Sequence, residues 1–224
     1  FLARAAQVAP DGVAAQMEKL HAGVGQVAAA PDAVVESLQV AAALREVVQE
    51  EGLAAVAVGC YPHLMGKVCL AASLLAEEGV PVACEGDVNG ALGMLILSRL
   101  CGGAVHNTDL LDPIPAGEQA NVARCDIVFS HCGSGGFSLA ADRTQIRLAP
   151  VRLMNQGCCC LFPARPGRVT LLNLVPTLPG YRMGVLYGEA VEAEMVFPGN
   201  PLRVRFDVAL QALLGWIAQT RALW

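Results

Sequence analysis

The sequence predicts an α/β fold: a parallel Rossmann-like sheet flanked by helices, then a smaller antiparallel β-barrel-like domain closed by a C-terminal helix. Three observations carry this. Short continuous apolar runs alternate with stretches of helical periodicity as far as about Gly136. Beyond that point the texture changes to alternating strands punctuated by Pro and Gly. The last stretch, VALQALLGWIAQTRALW, has helical character again. The expected division is residues 1–136 for the α/β part and 137–224 for the antiparallel part.

The elements follow in order. Asp11 can cap a first helix, and Asp32, after Pro31, a second through Glu51, with Gly52 as its stop. LAAVAVGC (Leu53–Cys60) is a continuous apolar run suited to a buried parallel strand. HLMGKVCLAASLLAEEG reads as a helix closed by Gly79, VPVAC as the next strand and VNGALGMLILSRLCGG as the next helix. AVHNTD and CDIVFSHCG are expected as two further strands, separated by a Pro-rich loop from Leu110 to Gly117. TQIRLAPVRL, GRVTLLNLVP and YRMGVLYGEAVEAEMVF are β-rich, and the final helix is expected to start at an Asp207 cap.

Composition narrows the function. Hydrophobic residues make up 54% of the chain and charged residues 16%, which favours a substantial buried core over disorder. No apolar run is long enough to span a bilayer. A net charge of −5 with scattered Lys and Arg excludes a basic nucleic-acid stripe. The nine cysteines lack a C-x-x-C pair, and their odd number points to a reducing, cytoplasmic setting. Cys158, Cys159 and Cys160 are consecutive. Three adjacent thiols are awkward metal ligands, so a strand covered on both faces is expected there. The chain begins at Phe1 inside helical sequence and reads as a piece of something longer.

The chemistry is expected where strands end, because open parallel sheets bind ligands beyond the carboxyl ends of their strands. Those ends carry Glu85, Asp109 and His131. Two carboxylates and an imidazole converging on one crevice suit Mn²⁺, Mg²⁺ or a similar divalent ion. Asp87 is read as the N-cap of the helix starting at Val88, outside the chemistry. His21, His63 and His106 are read as structural or surface residues. GSGG (Gly133–Gly136) hints at a phosphate loop but lacks the full dinucleotide spacing.

The segments GVPVACEGDVNGAL, LCGGAVHNTDLLD and FSHCGSGGFSLA together resemble the L-fucose/L-arabinose isomerase superfamily from about Asp32 onward. That resemblance implies a metal-dependent aldose–ketose isomerase acting through a cis-enediol. Glu85 and Asp109 would be both catalytic groups and ligands of Mn²⁺ or another divalent cation. His131 would be a third ligand, as in the arabinose branch. The late His of the fucose branch has no counterpart, since no His follows His131. The N-terminal domain of that family is missing as well. The implied partner is a small-molecule sugar, and a homo-oligomer is expected. Two other functions compete: a non-catalytic relative that binds a sugar or metabolite, and a Rossmann-like nucleotide-binding module using Gly133 to Gly136.

Overall fold

A computed structural model of the chain describes residues 1–114, 123–195 and 198–220. Part of the Pro-rich loop (115–117) and the end of the expected last helix (221–224) lie outside these. Three short elements open the chain: α1 (Leu2–Ala5), a 3₁₀ turn at Pro10–Val13 and α2 (Ala14–Gly23). The first strand, β1, is Gln26–Val27, and α3 spans Pro31–Glu51. Pro31 sits at the start of α3, where its missing N–H is harmless. Gly52 closes the helix in the left-handed conformation with φ 62°. Val34, Leu38, Ala41, Leu44 and Val48 form the buried stripe of α3 at helical spacing.

The strands β2 (Val56–Ala57) and β3 (Val82–Ala83) pair in parallel, with Val56 opposite Val82. Between them α4 (Cys69–Glu77) is shorter than the sequence predicts. Gly66, with φ 79°, stands where any Cβ would meet the Gln156 carbonyl, and its own carbonyl accepts from the Cys158 N–H. The chain must pass this backbone before it can coil. The helix α5 (Val88–Cys101) ends on Gly102, again left-handed at φ 67°.

Here the expected architecture is corrected. The parallel pair β2–β3 stands alone, and no large Rossmann-like sheet forms among the described residues. The segment 104–108 takes no strand conformation. Its Asn107 side chain accepts a hydrogen bond from the Cys84 N–H at 3.2 Å, so a side chain ties it to the end of β3 in place of a ladder. Strand structure begins only at Asp109, in β4 (Asp109–Ile114), which runs antiparallel to β5 (Cys125–Ser130). Two further strands, β6 (Arg147–Val151) and β7 (Gln156–Leu161), join β1 in a mixed three-stranded sheet. The hairpin β8 (Gly167–Thr177) and β9 (Gly180–Val191) and the strand β10 (Leu202–Phe206) complete an antiparallel sheet of order β4-β5-β10-β9-β8. That sheet is open rather than barrel-like, with β4 and β8 at its edges. The last helix, α6 (Leu210–Thr220), covers one face, where Leu213 packs with Phe129, Leu171, Val204 and Phe206. On the opposite face the Asp126 carboxylate accepts from Arg203 (2.7 Å) and Arg205 (2.9 Å).

The three consecutive cysteines lie on β7 and are fully buried. Cys158 and Cys160 face one apolar cluster and Cys159 another, as the period-two geometry of a strand requires. Among the described residues no helix is long and apolar enough to cross a membrane.

Candidate functional site

Glu85 owes its position to a tight turn. Cys84, Glu85, Gly86 and Asp87 reverse the chain after β3, with the Asp87 N–H donating to the Cys84 carbonyl at 3.1 Å. Glu85 and Gly86 are both left-handed, at φ 60° and 72°, the pattern of a turn that favours Asn or Gly in its first central place. The Gly86 N–H donates to the Val58 carbonyl at 3.0 Å and fixes the turn to the end of β2. A glutamate held in this conformation is strained, and such strain collects at functional positions. Its side chain is exposed at the strand ends.

Asp109 opens β4, with its carboxylate 61% exposed. His131 follows β5 directly and its side chain is buried. The antiparallel register places Asp109 opposite Ser130, so the two meet across the ladder, with His131 Nε2 3.9 Å from Asp109 Oδ2. The Cys132 thiol links the region electrostatically. It is pushed up to about 11, first by burial, then by the thiols of Cys69 and Cys60, then by the negative charges of Glu85 and Asp109. Asp109 and His131 thus stand together, while Glu85 sits on the separate turn after β3. Among the described residues no group of three or more His, Cys, Asp or Glu side chains is arranged to hold a metal ion.

A cavity of about 360 Å³ lies between α5, the 106–109 segment and the edge strand β8. Asp87, Gly90, His106, Asn107, Asp109 and Asn173 contribute to its wall. Asp87 is indeed the residue before α5, but its side chain makes no cap hydrogen bond. Its carboxylate lies over Gly90, where any Cβ would strike it. Asp87 therefore joins the candidate site. The sequence signal was present in Gly90, a glycine one turn into a helix.

His106 is the second residue that sequence reasoning set aside. It lines this cavity and an adjoining one of about 520 Å³. Neither ring nitrogen makes a hydrogen bond of normal geometry. Burial, helped by nearby His131, holds the imidazole down to about 3, against the weak pull of the Asn200 backbone. His131 Nδ1 is likewise buried and unpartnered. Three imidazole nitrogens of His106 and His131 thus lie buried near Asp109 without a hydrogen bond of normal geometry.

The glycine loop after His131 serves another end. The Gly135 N–H donates to Asn200 Oδ1 (2.9 Å), and the Asn200 amide donates to the Cys160 carbonyl (2.7 Å). Glu77 accepts from the Ser138 N–H and hydroxyl, and its carboxylate lies where a Cβ on Gly136 would be. A loop whose amide is spent and whose neighbour is a carboxylate is a poor phosphate cradle.

No family model matches the chain. It is similar to proteins named sulfoquinovose isomerase. The protein of Alkalicoccus urumqiensis is 36% identical over 180 residues, covering 77% of this chain and 39% of that protein. That of Priestia aryabhattai is 30% identical over 177 residues, covering 77% and 38%. That of Clostridium sp. strain MSTE9 is 30% identical over 166 residues, covering 70% and 35%. The chain therefore spans less than two fifths of the length of these relatives. Their names correct the family expectation. Sulfoquinovose isomerase is a different family from L-fucose isomerase, so the L-fucose/L-arabinose assignment is not supported. The quoted segments encode a strand, a tight acidic turn and a helix, a local pattern that does not itself specify a sugar. The curated proteins that this chain resembles are, by name, sulfoquinovose isomerases.

Proposed function

We propose that this chain carries part of the active site of an aldose–ketose isomerase whose substrate is sulfoquinovose. The observation that carries the reading is Asp109 beside His131, among buried imidazole nitrogens without a hydrogen bond of normal geometry, in a chain similar to sulfoquinovose isomerases. A polyol supplies the donors and acceptors that these nitrogens lack.

Interconversion of an aldose and a ketose moves a proton between C1 and C2 through a cis-enediol. Asp109 and Glu85 are the carboxylates assigned to that proton movement, since an exposed carboxylate can take and return a proton beside a carbonyl. His131, buried with Nε2 3.9 Å from Asp109 Oδ2, is assigned to orienting that carboxylate. His106 and Asn107 bind hydroxyl groups from the cavity wall. Arg165 and Arg168 line the adjoining cavity and are the cations assigned to the sulfonate.

The test uses the natural reading frame that contains this chain. Conversion of sulfoquinovose is followed by NMR in the wild type, Glu85→Gln and Asp109→Asn. Each variant should lose at least ~100-fold in kcat, as expected when a general acid or base is removed. Unchanged turnover in either removes that residue from the chemistry. Sulfoquinovose binding without turnover in the wild type would favour a sugar-binding relative instead.

A further inference from the structure

We propose that Cys60 and Cys84 form an oxidation site, a thiol pair that peroxide converts to a reversible disulfide beside Glu85. The inference stands on geometry and does not depend on the isomerase reading. Cys60 lies three residues beyond β2, and Cys84 is the first residue beyond β3. Because β2 and β3 are parallel neighbours, both thiols emerge at the same end of the sheet. Their sulfurs are 3.0 Å apart. A disulfide needs about 2.05 Å, so an approach of about 1 Å completes the bond.

The pair is also the more reachable of two thiol contacts. Cys69 and Cys159 touch as well, but they sit inside an apolar cluster with Met65, Ala149 and Val151. Cys60 and Cys84 belong to an apolar cluster too, with Val58, Val68 and Val82, but they lie at the strand ends, next to exposed turns. Their chain neighbours are exposed: Tyr61 (68%) on one side and Glu85 on the other. A molecule as small as hydrogen peroxide has to pass only these turns.

The chemistry balances. One thiol, as thiolate, attacks a peroxide oxygen; the O–O bond breaks, and a sulfenic acid and water result. The second sulfur attacks the sulfenic sulfur, the S–S bond forms, and the S–O bond breaks to release a second water. Two thiols and one hydrogen peroxide give one disulfide and two waters, with two electrons passing from sulfur to oxygen. The new bond would join the ends of β2 and β3 immediately before the strained Glu85 turn.

The 224-residue chain is treated with hydrogen peroxide, alkylated without reduction, digested and mapped by mass spectrometry. The expected result is a Cys60–Cys84 linked peptide about 2 Da lighter than its two free parts, lost on treatment with dithiothreitol. In Cys84→Ser the link disappears, and Cys60 is captured by a sulfenic-acid trap. The wild-type map decides the matter even if that variant folds poorly. A link between Cys69 and Cys159 with Cys60 and Cys84 still free would overturn the proposal. So would sulfinic acids at Cys60 or Cys84 without a cross-link, or no reaction at either thiol.

Discussion

Replacing Glu85 with glycine should make the protein more stable while removing a carboxylate from the candidate site. An L-residue in the left-handed region costs about 1–2 kcal/mol relative to the right-handed one. Glu85 sits there at φ 60°, with an exposed side chain, so little packing offsets that cost. Glycine removes the strain but loses about 0.5–1 kcal/mol more backbone entropy on folding. The balance for Glu85→Gly is a gain of up to about 1.5 kcal/mol, which for a chain of this size raises the melting temperature by up to about 3–6 °C. Glu85→Val is the opposite control, because a β-branched residue tolerates positive φ least and should cost about 1 kcal/mol. Urea unfolding of the three proteins at neutral pH reads both effects as shifts of midpoint at constant slope. If Glu85→Gly proves less stable than the parent by more than about 1 kcal/mol, the turn is not strained as described. If Glu85→Val matches the parent, the same conclusion follows.

Other predictions concern the supports of the site. Asn200→Ala should destabilise by about 2–4 kcal/mol, because it leaves the buried Gly135 N–H and Cys160 carbonyl without partners. Faster hydrogen exchange at the Gly135 amide would accompany this loss, and an unchanged exchange rate would show that another group takes over. His106 should make the fold acid-sensitive. Its folded value is held down to about 3, below its ordinary value near 6.5, so the unfolded chain takes up the proton first as pH falls. Stability is then full above about pH 6.5 and declines as pH drops toward about 3, by at most a few kcal/mol. His106→Gln should flatten the change in urea midpoint between pH 7.5 and 5; an equally steep change would assign the acid sensitivity to other groups.

Much of the local structure was legible in the sequence. Pro31 and Gly52 bracket α3, and Gly102 ends α5, because these residues have backbone preferences that act over one turn of chain. The cysteine triplet was legible too, since three small apolar side chains in a row suit a strand with two covered faces. The sheet was not. CDIVFS is buried at every position, and a run of that kind marks a covered strand without telling parallel from antiparallel pairing. Its neighbours are β4 on one side and β10, more than seventy residues later, on the other. Strand order depends on such distant partners, and no local signal encodes it. The site shows the same division. Glu85, Asp109 and His131 could be named because each follows or precedes an apolar run. Asp87 and His106 each had a satisfactory local explanation, as helix cap and as structural or surface histidine. Only the cavity between α5 and β8 reveals what they face.

The edge position of β8 bears on how such a cavity could change over evolutionary time. Residues 170–176 form one wall, and the strand has no partner strand on that side among the described residues. A guest there meets main chain as well as side chains, and main chain is invariant to substitution. Drift in the side chains along 170–176 would retune shape and polarity while the peptide groups persisted. Selectivity for one guest over another could thus be reshaped without rebuilding the pocket.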